Sequence, residues 1–167
     1  MGTRVLTLAD VWPNQPRAMI VGLNPSPTSV EAGHYYQGQA GRRQLRRLVE
    51  IGLFAAPTGN WFEEVALAAG IGFTDVVKRP TVGEGTVTGA EIEHGSAVLR
   101  RKLEERAVPL IICVFRHPMK ALIGSIPPAG LSERRTPWGA QVYRMPGPYA
   151  STARAANALS TLRALIA

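Results

Sequence analysis

Apolar residues along this chain follow two rhythms. Short, nearly continuous runs recur at Ala18 to Leu23 (AMIVGL), Gly72 to Val77 (GFTDVV), 110–115 (LIICVF) and Gln141 to Met145 (QVYRM). Runs of this length bounded by turn residues predict strands, and LIICVF has the unbroken character of a strand covered on both faces of a parallel sheet. Between them the spacing changes to three and four. Gly41 to Ile51 (GRRQLRRLVEI) predicts a helix with Leu45, Leu48 and Val49 inward, and NWFEEVALAA a second helix with Asn60 as N-cap and Gly70 as its stop. A third runs from about Ala90 to Arg106, where Ile92, Ser96, Leu99 and Leu103 form one stripe. PMKALIG and TARAANALSTLRALI complete the set.

Strands alternating with helices imply βαβ units. The expected architecture is α/β: a three-layer α/β/α sandwich with a short, mostly parallel central sheet, formed by residues 1–167 as one domain. No internal repeat or low-complexity linker divides it. Two segments break both rhythms, GLNPSPTSVEAGHYY from Gly22 and MPGPYAS from Met145. Each follows a predicted strand. Both should therefore face the crevice outside the carboxyl ends of the strands, where such sheets bind ligands.

Composition then narrows the partner. The net charge is +7 and the isoelectric point lies near 10.3, a balance that suits a polyanion, since cations meeting phosphates release counterions. The single cysteine, Cys113, excludes an intramolecular disulfide or a multi-thiolate metal site and reads as a core residue. The start, MGTRVLTLADVW, has no secretory pattern and no apolar run is long enough for a membrane span, so a cytoplasmic, nucleoid-associated monomer without membrane contact is expected. No phosphate loop, dinucleotide fingerprint, paired carboxylates, zinc spacing or GxSxG elbow is found. Neither a metal nor another cofactor is expected.

In order along the chain, GLNPSPTSVEAGHYY, GFTDVVKRPT, LIICVF and MPGPYAS resemble the uracil-DNA glycosylase superfamily. The likeness is greatest to its mismatch-specific branch of bacterial uracil- and thymine-DNA glycosylases and extends from about Ala18 onward. It implies a base-excision repair enzyme that leaves an abasic site in double-stranded DNA containing a damaged or mismatched base. By the same resemblance Asn24 places the attacking water, and Tyr36 stacks on the extruded base. The backbone around Leu23, Ser26 and Ser29 bonds the pyrimidine, with Met145 beside it. Pro146, Gly147, Pro148, Tyr149 and Ser151 form the loop that enters the duplex, with Tyr149 at its tip. Met145 stands where many members carry histidine or asparagine, and Ser26 where glycine is usual.

The residue types suit that chemistry. A base inside a duplex must be flipped out before an enzyme can reach it, and a wedge fills the vacated space. Prolines stiffen the wedge loop and reduce the ordering cost of insertion. The Asn24 amide can orient water but is no general base near neutral pH, so the C–N bond must break mainly by leaving-group departure and positioning. Backbone N–H groups would stabilise charge growing on the leaving pyrimidine. No lysine lies in either segment, which points to simple hydrolysis.

Other positions have plainer expectations. Tyr35 is a core or lid residue, His34 a loop histidine and His117 a helix-start residue. Arg42, Arg43, Arg46 and Arg47 share one side of their helix, as a solvated face or a DNA contact, and Arg154 is the preferred phosphate ligand. Ser151-Thr152 caps the last helix, whose N-terminus also attracts phosphate. Two alternatives share this frame: a weakly active or inactive DNA-binding damage sensor, and a hydrolase of free nucleosides.

Overall fold

The computed structural model describes residues 2–167. The elements in chain order are β1 (Ala18–Gly22), α1 (Pro27–Ala32), α2 (Gln39–Glu50), α3 (Glu63–Ala68), β2 (Ile71–Asp75), α4 (Gly89–Glu105), β3 (Leu110–Cys113), α5 (Arg116–Ile123), β4 (Gly130–Leu131), β5 (Gln141–Arg144) and α6 (Thr152–Ile166). The sheet order is β2-β1-β3-β5-β4. Its first four strands are parallel and β4 is antiparallel to β5. This is the expected α/β sandwich with a mostly parallel centre.

Strand alternation divides the core in two. Ile20, Phe73, Ile112 and Tyr143 face one layer, with Leu45 and Leu48 of α2, Ala66 of α3 and Leu159 and Leu162 of α6. Met19, Val21, Ile111, Cys113 and Val142 face the other, with Leu99 and Leu103 of α4 and Met119 and Leu122 of α5. β1, β2 and β3 are buried along their whole length, which is why they read as continuous apolar runs. Val11 exchanges two backbone hydrogen bonds with Phe73 and so covers the edge of β2.

Three local differences from the sequence expectations have physical causes. NPSPTS forms the start of α1: Ser26 caps it, accepting from the Ser29 N–H, and Pro27 occupies the first turn, where its missing N–H costs nothing. The second helix starts at Glu63, with Phe62 and not Asn60 at its N-cap; Phe62 is drawn into the core while Asn60 stays exposed. β4 is a strand that no apolar run announces, because its two residues are too few to show periodicity.

Candidate active site

The connections define a crevice. The chain leaving β1 passes through α1, α2 and α3 on the first face and returns as β2 on one side. Leaving β3, it passes through α5 on the second face and returns as β5 on the other side. The carboxyl ends of β1 and β3 therefore flank a topological switch point. Asn24 lies two residues beyond β1, and Met145 follows β5 on the same edge.

The Asn24 side chain is fixed in one orientation. Its Nδ2 donates to the Arg79 carbonyl and to Thr81 Oγ1, each at 2.8 Å. Thr81 Oγ1 spends its own proton on the Gly83 carbonyl, so it can only accept from Asn24. The carboxamide oxygen has no partner among the described residues, leaving it as the acceptor that the site can use. The KRPT segment is itself braced: the Arg79 guanidinium binds both oxygens of Glu91, which holds the Glu91 carboxyl down at a pKa of about 2. Glu91 in turn closes a capping box with Thr88 at the start of α4.

Several groups expected to meet a pyrimidine are engaged by the loop itself or by the chain just past β2. The Leu23 carbonyl accepts from the Val77 N–H at 2.7 Å, and the Leu23 side chain is buried in the second layer. Ser26 Oγ accepts from the Ser29 N–H at 3.2 Å. Ser29 is buried, and its hydroxyl accepts from the Gln37 N–H at 3.0 Å.

Tyr36 sits at the far end of this segment in the left-handed region, with φ 55°. Its ring is tilted against Tyr35 and Phe73 at centroid distances of 6.0 and 6.2 Å. The residue is half-buried, but its hydroxyl is wholly enclosed and has no partner among the described residues. Two glycines make room. A Cβ on Gly41 would lie 2.8 Å from Tyr36 Cβ, and one on Gly22 would collide with Asp75 Oδ1 and lie 2.9 Å from the Tyr36 hydroxyl. Asp75 thus ends β2 directly beside β1, on the Tyr36 side. Burial pushes its carboxyl up to about 7; Lys78 pulls the other way and Asp10 adds to the rise. Tyr35 packs in the core, and Glu63 accepts from its N–H at 2.5 Å.

The second segment is held from α2. Met145 and Pro146 are buried, and the Met145 N–H donates to the Cys113 carbonyl at 2.9 Å. Gln44 Nε2 donates to the Pro146 carbonyl at 2.8 Å. Arg47 donates to the Gly147 carbonyl at 2.8 Å and the Ala150 carbonyl at 3.4 Å. Tyr149 stands out at the tip, 68% exposed, with the Arg43 guanidinium 5.9 Å from its ring centre. Gly147 is exposed and Pro148 half-exposed. Ser151 caps α6 by accepting from the Arg154 N–H, and Arg154 itself is exposed. Arg47 corrects the expectation of a four-arginine outer face, because it is only 8% exposed and turned inward with Gln44. Burial, with Arg43 nearby, lowers its pKa.

A cleft of about 540 Å³ opens beside β2 and α4, lined by Val5, Lys78, Glu91, His94 and Lys102 among others, and includes neither Asn24, Tyr36 nor Met145. Its cations are already paired, Lys78 and Lys102 with Asp10 and Arg79 with Glu91.

Sequence reasoning passes over Arg79, Thr81, Asp75 and Gln44, and places Arg47 on a solvated or DNA-facing side instead of under the second segment. KRPT was a visible signal for the first two. Nothing local marks the others, whose partners are distant in the chain. A family model described as the uracil DNA glycosylase superfamily matches residues 9–161, and the chain belongs to that superfamily.

Proposed function

We propose that the protein is a monofunctional DNA glycosylase of the mismatch-specific branch, which hydrolyses the N-glycosidic bond of an everted uracil and leaves an abasic site. Thymine or another modified base opposite guanine extends the substrate range to be tested. The observation that carries this reading is the anchored Asn24 amide. Both of its acceptors are fixed by the chain, so the free carboxamide oxygen is presented in one direction to orient water. Tyr36 supplies a flat wall for the base and Tyr149 the wedge. Met145, an apolar side chain beside the pyrimidine, relaxes base specificity because it offers no hydrogen bond to a carbonyl. Net charge +7, with exposed Arg43, Arg46 and Arg154, supplies attraction to the duplex. The chain acts as a single domain and a monomer on nucleoid DNA in the cytoplasm.

The test is base release from labelled duplexes bearing U:G, U:A, T:G or hypoxanthine, followed by alkaline cleavage of abasic sites. Cleavage of at least one duplex is expected, with Asn24→Ala slowing the single-turnover rate by about a hundredfold. Salt-sensitive binding without cleavage of any duplex would identify a damage sensor instead. Unaltered cleavage by Asn24→Ala would remove the role given to this amide.

A further inference from the structure

Helix α2 touches both functional segments. At its start, Gly41 lies against the Cα and Cβ of Tyr36 so closely that no side chain fits between them. Four residues before Gly41, Gln37 is buried, its side chain donating to the Tyr35 carbonyl at 2.9 Å while its own carbonyl accepts from Arg42 Nε at 3.2 Å. One to two turns further on, Gln44 and Arg47 hold the Pro146, Gly147 and Ala150 carbonyls. Gln44 also accepts from Arg47 at 3.0 Å, so the two side chains act as one unit. Arg43, on the neighbouring turn, reaches the Tyr149 ring. One rigid element of twelve residues thus fixes the base-stacking ring at one end and the wedge loop at the other.

We infer that α2 couples the two halves of base extrusion, and that Gln44 and Arg47 are positioning residues of the wedge loop, with Arg47 excluded from the set that meets DNA phosphates. The reasoning is one of satisfaction and entropy. Carbonyls in an exposed loop would otherwise bond water and sample many shapes. Three of them bonded to buried side chains keep the loop in one shape before DNA arrives, so little ordering remains to be done on insertion. The same fork is poorly placed for phosphate, because the side chain is buried and three of its five N–H donors are turned inward onto Gln44, Gly147 and Ala150. This inference rests on the wedge role given above to residues 146–150.

The experiment compares wild type with Arg47→Ala and Gln44→Met in three readouts. These are single-turnover cleavage of uracil in duplex against single-stranded DNA, the salt dependence of duplex binding, and fluorescence of 2-aminopurine placed beside the target base. Removing the Arg47 fork should lower the duplex rate by about tenfold, as expected when the Gly147 and Ala150 carbonyls lose their donors and the loop loses its fixed shape. The single-strand rate should fall much less, and the 2-aminopurine signal of opening should shrink. The salt slope should stay unchanged, whereas loss of a true phosphate contact lowers it by about one unit.

Equal losses on duplex and single strand, or a salt slope reduced by about one, would overturn the inference. If Arg47→Ala fails to fold by thermal unfolding, Gln44→Met carries the same comparison with a side chain of similar length. Should wild type release no base at all, the glycosylase reading falls. The 2-aminopurine and salt-slope arms still decide the coupling: opening that is equal in variant and wild type overturns it.

Discussion

The loops that follow β1 and β5 face the same crevice and both carry two prolines, yet they are held by opposite means. The first is held locally and from the neighbouring strand: Ser26 caps its own helix, and Asn24 is anchored by residues just past β2, the strand paired with β1. The second makes few bonds of its own and takes its shape from Gln44 and Arg47, about a hundred residues earlier. Under the proposed roles, the contrast separates two demands. A water-placing group must be fixed to within fractions of an ångström, which favours bonds to the adjoining strand. A wedge must present an exposed ring, and support from behind leaves its outer surface open for DNA.

The largest effect expected on this contrast is thermodynamic and lies under the first loop. Asp75 is protonated more readily in the folded chain, with a pKa near 7, than in the unfolded chain. Its contribution to stability is full below about pH 4 and is lost as pH rises through 7, since the folded state must then bury the charge. Asp75→Asn should therefore stabilise the protein at pH 8 by up to a few kcal/mol, with little change at pH 4. Chemical denaturation at the two pH values checks this, and equal effects at both would contradict the buried carboxyl.

Smaller changes sharpen the comparison further. Next in size is the roughly hundredfold loss expected for Asn24→Ala, which should be equal on duplex and single-stranded DNA because it acts on the chemical step. Tyr149→Ala, at the tip of the second loop, should cost about tenfold on duplex DNA. Its effect on single strands should be slight, and a matching loss there would show that the ring is no wedge. Smallest is Thr81→Val, which removes one of the two acceptors on the Asn24 amide. A loss of about fivefold in the cleavage rate is expected, with the other acceptor still in place. If Thr81→Val were as damaging as Asn24→Ala, anchoring and not water placement would be the function of the amide.

Much of the frame is legible in the sequence. Strand runs and helical stripes were long enough to declare themselves, and the last helix runs from Thr152 to Ile166 as its pattern implied. α1 was hidden because Asn, Pro and Ser are turn residues as well as helix-start residues, and six residues show too little periodicity to decide between them. Asn24 and Tyr149 could be named from the motifs in which they lie. The direction of the Asn24 amide could not, since it depends on acceptors fifty-five and fifty-seven positions away. Arg47 was hidden for a different reason. In a run of paired arginines all four look alike, and only the position of the 146–150 loop turns one of them inward.

Cys113 occupies the middle strand, wholly enclosed, with a thiol that burial makes much harder to ionise. Its side chain faces the layer covered by α4 and α5, so those helices must lift from the sheet before a reagent can reach the sulfur. Labelling of this lone sulfhydryl is therefore a built-in clock for opening of that helical layer.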